Sequence, residues 1–160
     1  MTITAPVDGD PLDPAWAQLI TGAVNANVTT LATLTGTWTD YTPAWTASVN
    51  PAKGNGTLTG RYKQNGKTVV AEVFMQAGST TTFGTGVWSF SLPTTALSVI
   101  WAGAAYILDA GTANRSAICS MNTSTTVFLI SSADGDVSPT VPQTWANGDA
   151  LRFVIIYEAA

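Results

Sequence analysis

The spacing of hydrophobic and polar positions changes once along the chain, at Gly36. Before it, between Pro14 and Leu34, apolar residues recur in steps of three and four, as they do in a helix. After it, short alternating runs are separated by Gly, Asn, Asp and Pro, which is typical of strands and turns. The pattern predicts one helix followed by a β domain.

The predicted helix carries the a/d series of a heptad repeat, which indicates a coiled coil. Asp13 supplies a side-chain cap, Pro14 suits the first helical turn, and Gly36 ends the helix. A single helix of this length, rich in threonine near its end, is marginal alone in water. It needs a partner, and we expect an oligomeric stalk. Its interface residues would be Ala17, Ile20, Val24, Asn27, Leu31 and Leu34.

Asn27 is the polar member of this series. A polar side chain in an apolar seam fixes register and strand number, and around a threefold axis three Asn27 side chains could share hydrogen bonds. A second interpretation fits the same spacing, in which Asn27 is solvated and the helix packs on its own β domain. Its buried stripe would then be Trp16, Ile20, Val24, Val28 and Leu31.

The β region begins with a predicted hairpin. Alternating runs at 57–64 and 67–75 flank Asn65-Gly66, which favours a type I′ turn because both its central positions need positive φ. Seven or eight short strands without an intervening helix indicate an antiparallel β-sandwich of jelly-roll type. The further predicted strands are 87–92, 100–108, 115–121, 126–131 and 151–157, with an edge strand at 44–49.

Charge and cysteine content narrow the class of protein. Charged residues make up only 10% of the chain and hydrophobic residues 46%, so we expect much of the surface to be buried between subunits. The net charge is −4 and the basic residues are scattered, whereas nucleic-acid binding needs a concentrated basic patch. The single cysteine, Cys119, allows no internal disulfide and is expected to be a small buried residue.

The first residues predict an arm rather than a targeting element. Residues 1–10 are polar and acidic, unlike a signal peptide, and the apolar runs elsewhere have the length of strands, so we expect no membrane insertion. Residues 1–13 contain Pro6 and Pro11 and show no periodicity, which predicts an extended N-terminal arm. The expected domains are therefore the arm at 1–13, the helical stalk at 14–36 and the β head at 37–160.

Several runs in the β region resemble a module of virion proteins from bacteriophages that infect actinobacteria. The resemblance extends over roughly residues 41–158, and the module looks like one that recurs in tail-associated, fibre and head-decorating proteins. It brings no catalytic residues. The runs that carry it are 54–62 (GNGTLTGRY), 66–69 (GKTV), 78–86 (GSTTTFGTG) with Trp88, Phe90, Leu92 and Pro93, 41–46 (YTPAWT), and 145–149 (WANGD) before Tyr157-Glu158.

The resemblance implies a homotrimer on the virion surface, assembled in the host cytoplasm. With 160 residues we expect a short appendage, a capsid decoration or head-fibre protein, whose arm contacts the major capsid protein or another virion protein. The alternative is a short tail fibre or tail-tip protein that recognises host surface glycans. The expected capsid-anchoring residues are Ile3, Pro6, Val7, Pro11 and Leu12.

Catalysis is not expected. The chain has no histidine, which excludes a Ser-His-Asp or Cys-His site, and nearly all its acids fall in predicted turns or termini. Glu72 alone lies within a predicted strand, where it is either an acid in a cleft or a solvent-facing residue paired with Arg61 or Lys63. We therefore predict a non-enzymatic protein without a cofactor.

Residue type points to two further candidate sites, one for a metal and one for a glycan. Asp134 and Asp136 supply carboxylates for calcium but lack the remaining ligands, so a plain turn without a metal is expected. Tryptophans can stack on sugar rings, although most of those present fit a core or a subunit interface. Trp145 lies in a loop-like stretch and is the candidate glycan contact.

Overall fold

The computed structural model describes residues 14–34, 37–132 and 134–160, with the helix side chains described at 18–29. The chain divides into two compact units, residues 1–36 and 37–160.

The first unit contains helix α1, Pro14–Leu34, at the predicted bounds. It holds no charged residue, and all its described side chains are exposed. Of the expected interface residues, Ile20, Val24 and Asn27 are among these exposed side chains. The side chains of Ala17, Leu31 and Leu34, the cap Asp13, the stop Gly36 and the arm residues Ile3, Pro6, Val7, Pro11 and Leu12 lie outside the described residues.

The second unit is a mainly β fold of antiparallel strands, as predicted. Its strands are β1 Thr39–Tyr41, β2 Trp45–Thr46, β3 Thr57–Asn65, β4 Thr68–Gln76, β5 Ser89–Ser91, β6 Ala102–Asp109, β7 Ala113–Thr123, β8 Thr126–Ser131, β9 Gly135–Asp136 and β10 Ala150–Glu158. They form a 10-stranded sheet in the order β1-β3-β4-β10-β6-β7-β8-β5-β2, with β9 paired to β8.

This sheet curls into a half-barrel. Its end strands β1 and β2 are joined only by residues 42–44, and so short a link spans roughly 10 Å, which forces the two ends toward each other. Contacts with Ser91 of β5 mark the approach: the Tyr41 hydroxyl donates to its carbonyl oxygen at 3.5 Å, and the Ala44 amide donates to its Oγ at 2.8 Å. The curl encloses one core between the two halves of the sheet.

The predicted hairpin is present, but the predicted turn type is wrong. Asn65 pairs with Thr68, so the turn residues are Gly66 and Lys67. Gly66 has φ of 57°, and no non-glycine residue in the described part of the chain has positive φ. Positive φ at the first central position alone is the pattern of a type II′ turn, so the turn lies one residue later than expected.

Alternation along the strands divides the sheet into a buried and an exposed face. On β10, Leu151, Phe153, Ile155 and Tyr157 point into the core, while the residues between them face solvent. The core also holds an aromatic cluster, in which the Trp88 ring lies 4.7 Å from that of Trp45 and 4.8 Å from that of Trp145. The outward positions are therefore the ones open to other molecules.

Candidate functional site

A cleft of about 540 Å³ lies on the outer face of strands β3, β4, β10 and β6. The strand order brings outward residues from distant parts of the chain side by side. Arg61 is opposite Glu72, Phe74 is opposite Arg152, and Arg152 is opposite Tyr106. All these residues line the cleft, together with Asp40 of β1, which is opposite Arg61.

One end of the cleft is organised around Arg61. Its guanidinium donates to both carboxylate oxygens of Glu72, at 3.1 and 3.2 Å, and stacks over the Trp38 ring with 4.7 Å to the centroid. The predicted pairing of Glu72 with Arg61 across the hairpin is confirmed. Because both oxygens of Glu72 accept from the same guanidinium, this arrangement is that of an ion pair on the sheet surface.

The other end is organised around Arg152. Its guanidinium lies over the Tyr106 ring with 4.8 Å to the centroid, and the Tyr106 hydroxyl donates to Asn114 Oδ1. Within residues 37–132 and 134–160, no acidic side chain lies within ion-pair distance of Arg152. Between the two ends, Phe74 and Val154 are exposed and give the cleft an apolar floor.

The glycan prediction at Trp145 is wrong. Its side chain is only 4% exposed, its ring packs against Trp88, and its indole N–H donates to the Ser138 carbonyl at 3.0 Å. A buried indole offers no face to a sugar. The composition of 145–149 suggested a loop, but the sequence carried no signal that the core closes over this residue.

The acidic loop is stabilised by an arginine. The Arg115 guanidinium lies 3.8 Å from the Asp134 carboxylate and 4.0 Å from that of Asp109, and the Ser131 hydroxyl donates to Asp134 at 3.3 Å. Gly135 and Asp136 pair with Ser131 and Ile130 as β9, where a plain turn was expected. In the part of the chain that the structure describes, no group of three or more His, Cys, Asp and Glu side chains could hold a metal ion.

Cys119 is buried, as expected. Its thiol donates to the Val154 carbonyl at 3.4 Å, and burial raises the pKa of Cys119 to about 12. At neutral pH the thiol is therefore protonated and shielded from reagents.

A second surface of the β unit is an apolar patch next to the cleft. Val154, Ala104 and Ile118 are consecutive cross-strand neighbours on the outer face of β10, β6 and β7, and all are exposed. Ile156 continues the patch along β10, and Ile100, just before β6, is 79% exposed. Such patches on soluble proteins commonly mark interaction surfaces. We call Leu97, Val99, Ile100, Ile118 and Ile156 the apolar patch, and Ala104 and Val154 line the cleft at its border.

Sequence reasoning missed the cleft, because its residues come from strands far apart in the chain. The aromatic residues Phe74 and Tyr106 and the charges near them were visible, but their adjacency depends on β10 lying between β4 and β6. No helix in the described residues is long and apolar enough to cross a membrane. Comparisons with models of protein families, with curated proteins and with solved structures find no match to this chain.

Proposed function

We propose that this protein is a non-enzymatic structural component of a bacteriophage virion, a homotrimeric capsid decoration or head-fibre protein. In this proposal the arm at 1–13 anchors it to the capsid, α1 forms a trimeric coiled coil, and the β unit projects as a jelly-roll head. The placement of β10, last in the chain, between β4 and β6 gives the non-sequential strand neighbours that Greek-key folds such as jelly rolls have.

The observation that carries the proposal is the character of α1. It has no charged residue, and its apolar side chains Leu19, Ile20, Val24 and Val28 are all exposed. A solvated helix normally carries a charged face, whereas an uncharged one gains stability by burying its apolar side chains. Other copies of the same chain would bury Ile20 and Val24 along the heptad seam that also includes Asn27.

The apolar patch supports the same arrangement. It carries no charge, although the neighbouring cleft on the same face holds two arginines and two carboxylates. Contacts between heads of neighbouring subunits would cover it, which fits the low overall charge of the chain. Exposed apolar side chains that are buried on assembly are characteristic of obligate oligomers.

The experiment is light scattering on the full chain and on a variant that lacks residues 1–36. We expect a trimer that becomes a monomer on truncation, with the circular dichroism of the β unit retained. Within the full chain, Val24→Lys on the seam should dissociate the trimer, because it places three cations together. Asn25→Lys, adjacent but off the seam, should leave the trimer intact. A monomeric full chain would overturn the proposal.

The alternative, a short tail fibre or tail-tip protein that recognises host glycans, is favoured by one observation. The outer-face cleft places the exposed Phe74 and the half-buried Tyr106 beside arginine and carboxylate groups, the combination with which proteins bind sugars. Trp145 has no part in it. Copy number in purified particles distinguishes the two functions, since a decoration protein is present in many copies and a tail-tip protein in few.

A further inference from the structure

We infer that the outer-face cleft is a binding site for a carbohydrate that carries an anionic group, and that Arg152 holds this group. The inference rests on the second proposed function, glycan recognition, and it names the ligand class and the orientation of the ligand. It is independent of the position of the protein on the virion.

The floor of the cleft suits the flat face of a sugar ring. Phe74 occupies an outward position of β4 opposite Arg152 and is 37% exposed, and Val154 lies diagonally from it on β10. Both side chains face outward from a sheet whose opposite face already supplies the core. The C–H face of a pyranose covers such apolar surface while its hydroxyl groups stay directed at the polar walls.

The Arg152 guanidinium is positioned to bind an anion. The Arg152 guanidinium lies over the Tyr106 ring, and no acidic side chain of the described residues pairs with its N–H donors. These donors match a carboxylate or phosphate in a forked geometry. The contrast with Arg61 is informative, because the Nη2 group of Arg61 already donates to both carboxylate oxygens of Glu72.

The opposite end of the cleft suits neutral hydroxyl groups. Asp40 and Glu72 flank Arg61 there, and their oxygens can accept hydrogen bonds from sugar hydroxyls. The Asp40 carboxylate, on β1 at the far side of Arg61 from Arg152, repels a second anion, so the charged end of the ligand is directed to Arg152. The distance from β3 to β6 is three strand spacings, about 14 Å, which leaves room for more than one sugar unit.

The test is titration calorimetry of the full chain with a galactotriose in which only the terminal unit is oxidised to galacturonic acid, and with unmodified galactotriose as its neutral counterpart. We expect the acidic sugar to bind at least about tenfold more tightly, since hydrogen bonds between charged groups contribute at that scale. Arg152→Gln should lower the affinity for the acidic sugar by about tenfold or more. Arg152→Lys should retain only part of the affinity for the acidic sugar, because lysine keeps the charge but lacks the forked donors.

The matched control is Lys67→Gln, which removes the same charge at the hairpin turn outside the cleft and should leave binding unchanged. Arg152 is exposed, so its variants should keep the unfolding midpoint of the parent protein. Equal binding of both sugars, or full affinity in Arg152→Gln, would overturn the inference. If only the neutral sugar binds, glycan recognition stands and the anionic ligand is wrong. If neither binds, both fail.

Discussion

The helix and the β unit differ in whether their apolar side chains are buried. In the β unit, alternation sends one side of each long strand into a shared core, where Trp88, Leu129 and Ile155 are completely buried. In α1 the described apolar side chains remain exposed, and no charged residue accompanies them. The comparison teaches that the β unit buries its apolar side chains in its own core, whereas the described apolar side chains of α1 have no such core, which is why we propose that association stabilises the helix.

The largest expected effect is on the free energy of unfolding of the β unit, and it tests whether the unit is stabilised by its own core. Trp88 is completely buried and packs against Trp45, Phe83 and Trp145. Trp88→Ala should lower the free energy of unfolding by about 3–5 kcal/mol, because it removes a large buried ring and leaves a cavity. Urea denaturation followed by circular dichroism measures the loss.

The matched change in the helix is Val24→Ala, where the wild-type side chain is 52% exposed. We expect the urea transition of the β unit to be unchanged, while the trimer dissociates at a higher protein concentration than the parent. A loss of β-unit stability comparable to that of Trp88→Ala would contradict the comparison, since it would mean that the two units fold as one.

The long elements of the β unit were predictable from the sequence, and the short ones were not. Residues 126–131 contain a short apolar run bounded by Thr126 and Ser131, and they form β8 at the predicted bounds, with burial that alternates along the strand. β1 and β9 are too short to show a period of their own, and each exists only as a pairing with a longer strand. The sequence Asn65-Gly66 predicts a type I′ turn with these two residues at its centre. The strand register instead pairs Asn65 with Thr68, so the turn lies one residue later.

The candidate site was less predictable than the fold. Local pattern placed Glu72 on the outer face beside Arg61, because both belong to one hairpin. Arg152 and Tyr106 join them only through the strand order β4-β10-β6, which follows from tertiary packing. At Trp145 the local pattern itself is misleading. The turn-like residues around it predict an exposed side chain, whereas its ring packs against Trp88 in the aromatic cluster. The sequence pattern predicts which face of a strand is exposed, but it does not predict which strands, far apart in the chain, become neighbours in the sheet.

A smaller effect is expected at a buried acid that organises the loops before β10. Asp149 is 2% exposed, and its two oxygens accept from the Ala110 and Ala146 amides, each at 2.8 Å. Asp149→Ala should cost about 2–3 kcal/mol, because it leaves two amide donors without an acceptor in a buried site. Thermal denaturation measures the loss, and hydrogen exchange at Ala110 and Ala146 should accelerate.

The control for this prediction is Asp136→Ala, which removes an exposed carboxylate from the short strand β9. We expect its stability to stay within about 0.5 kcal/mol of the parent protein. Equal losses at the two positions would show that net charge, rather than the buried hydrogen bonds, governs the stability of the β unit.

The smallest effect is a loss of stability at alkaline pH that belongs to the β unit alone. Burial raises the pKa of Cys119 from its ordinary 9.0 to about 12, and burial also raises the pKa values of Tyr41 and Tyr157. Above pH 9 the unfolded chain therefore releases the Cys119 proton while the folded chain keeps it, so stability falls as pH rises toward 12. By pH 10 the cysteine accounts for about 1.4 kcal/mol of this loss.

Urea denaturation at pH 8 and pH 10 measures the alkaline loss, and Cys119→Ala isolates the thiol. The substitution lowers stability at both pH values, but it should remove most of the difference between them, since in the unfolded chain the thiol ionises about one pH unit below the tyrosines. The full chain and the variant lacking residues 1–36 should lose the same amount, because α1 contains no titratable side chain. A pH-dependent loss that disappears with residues 1–36 would place the titrating group outside the β unit and contradict the division of roles between the two units.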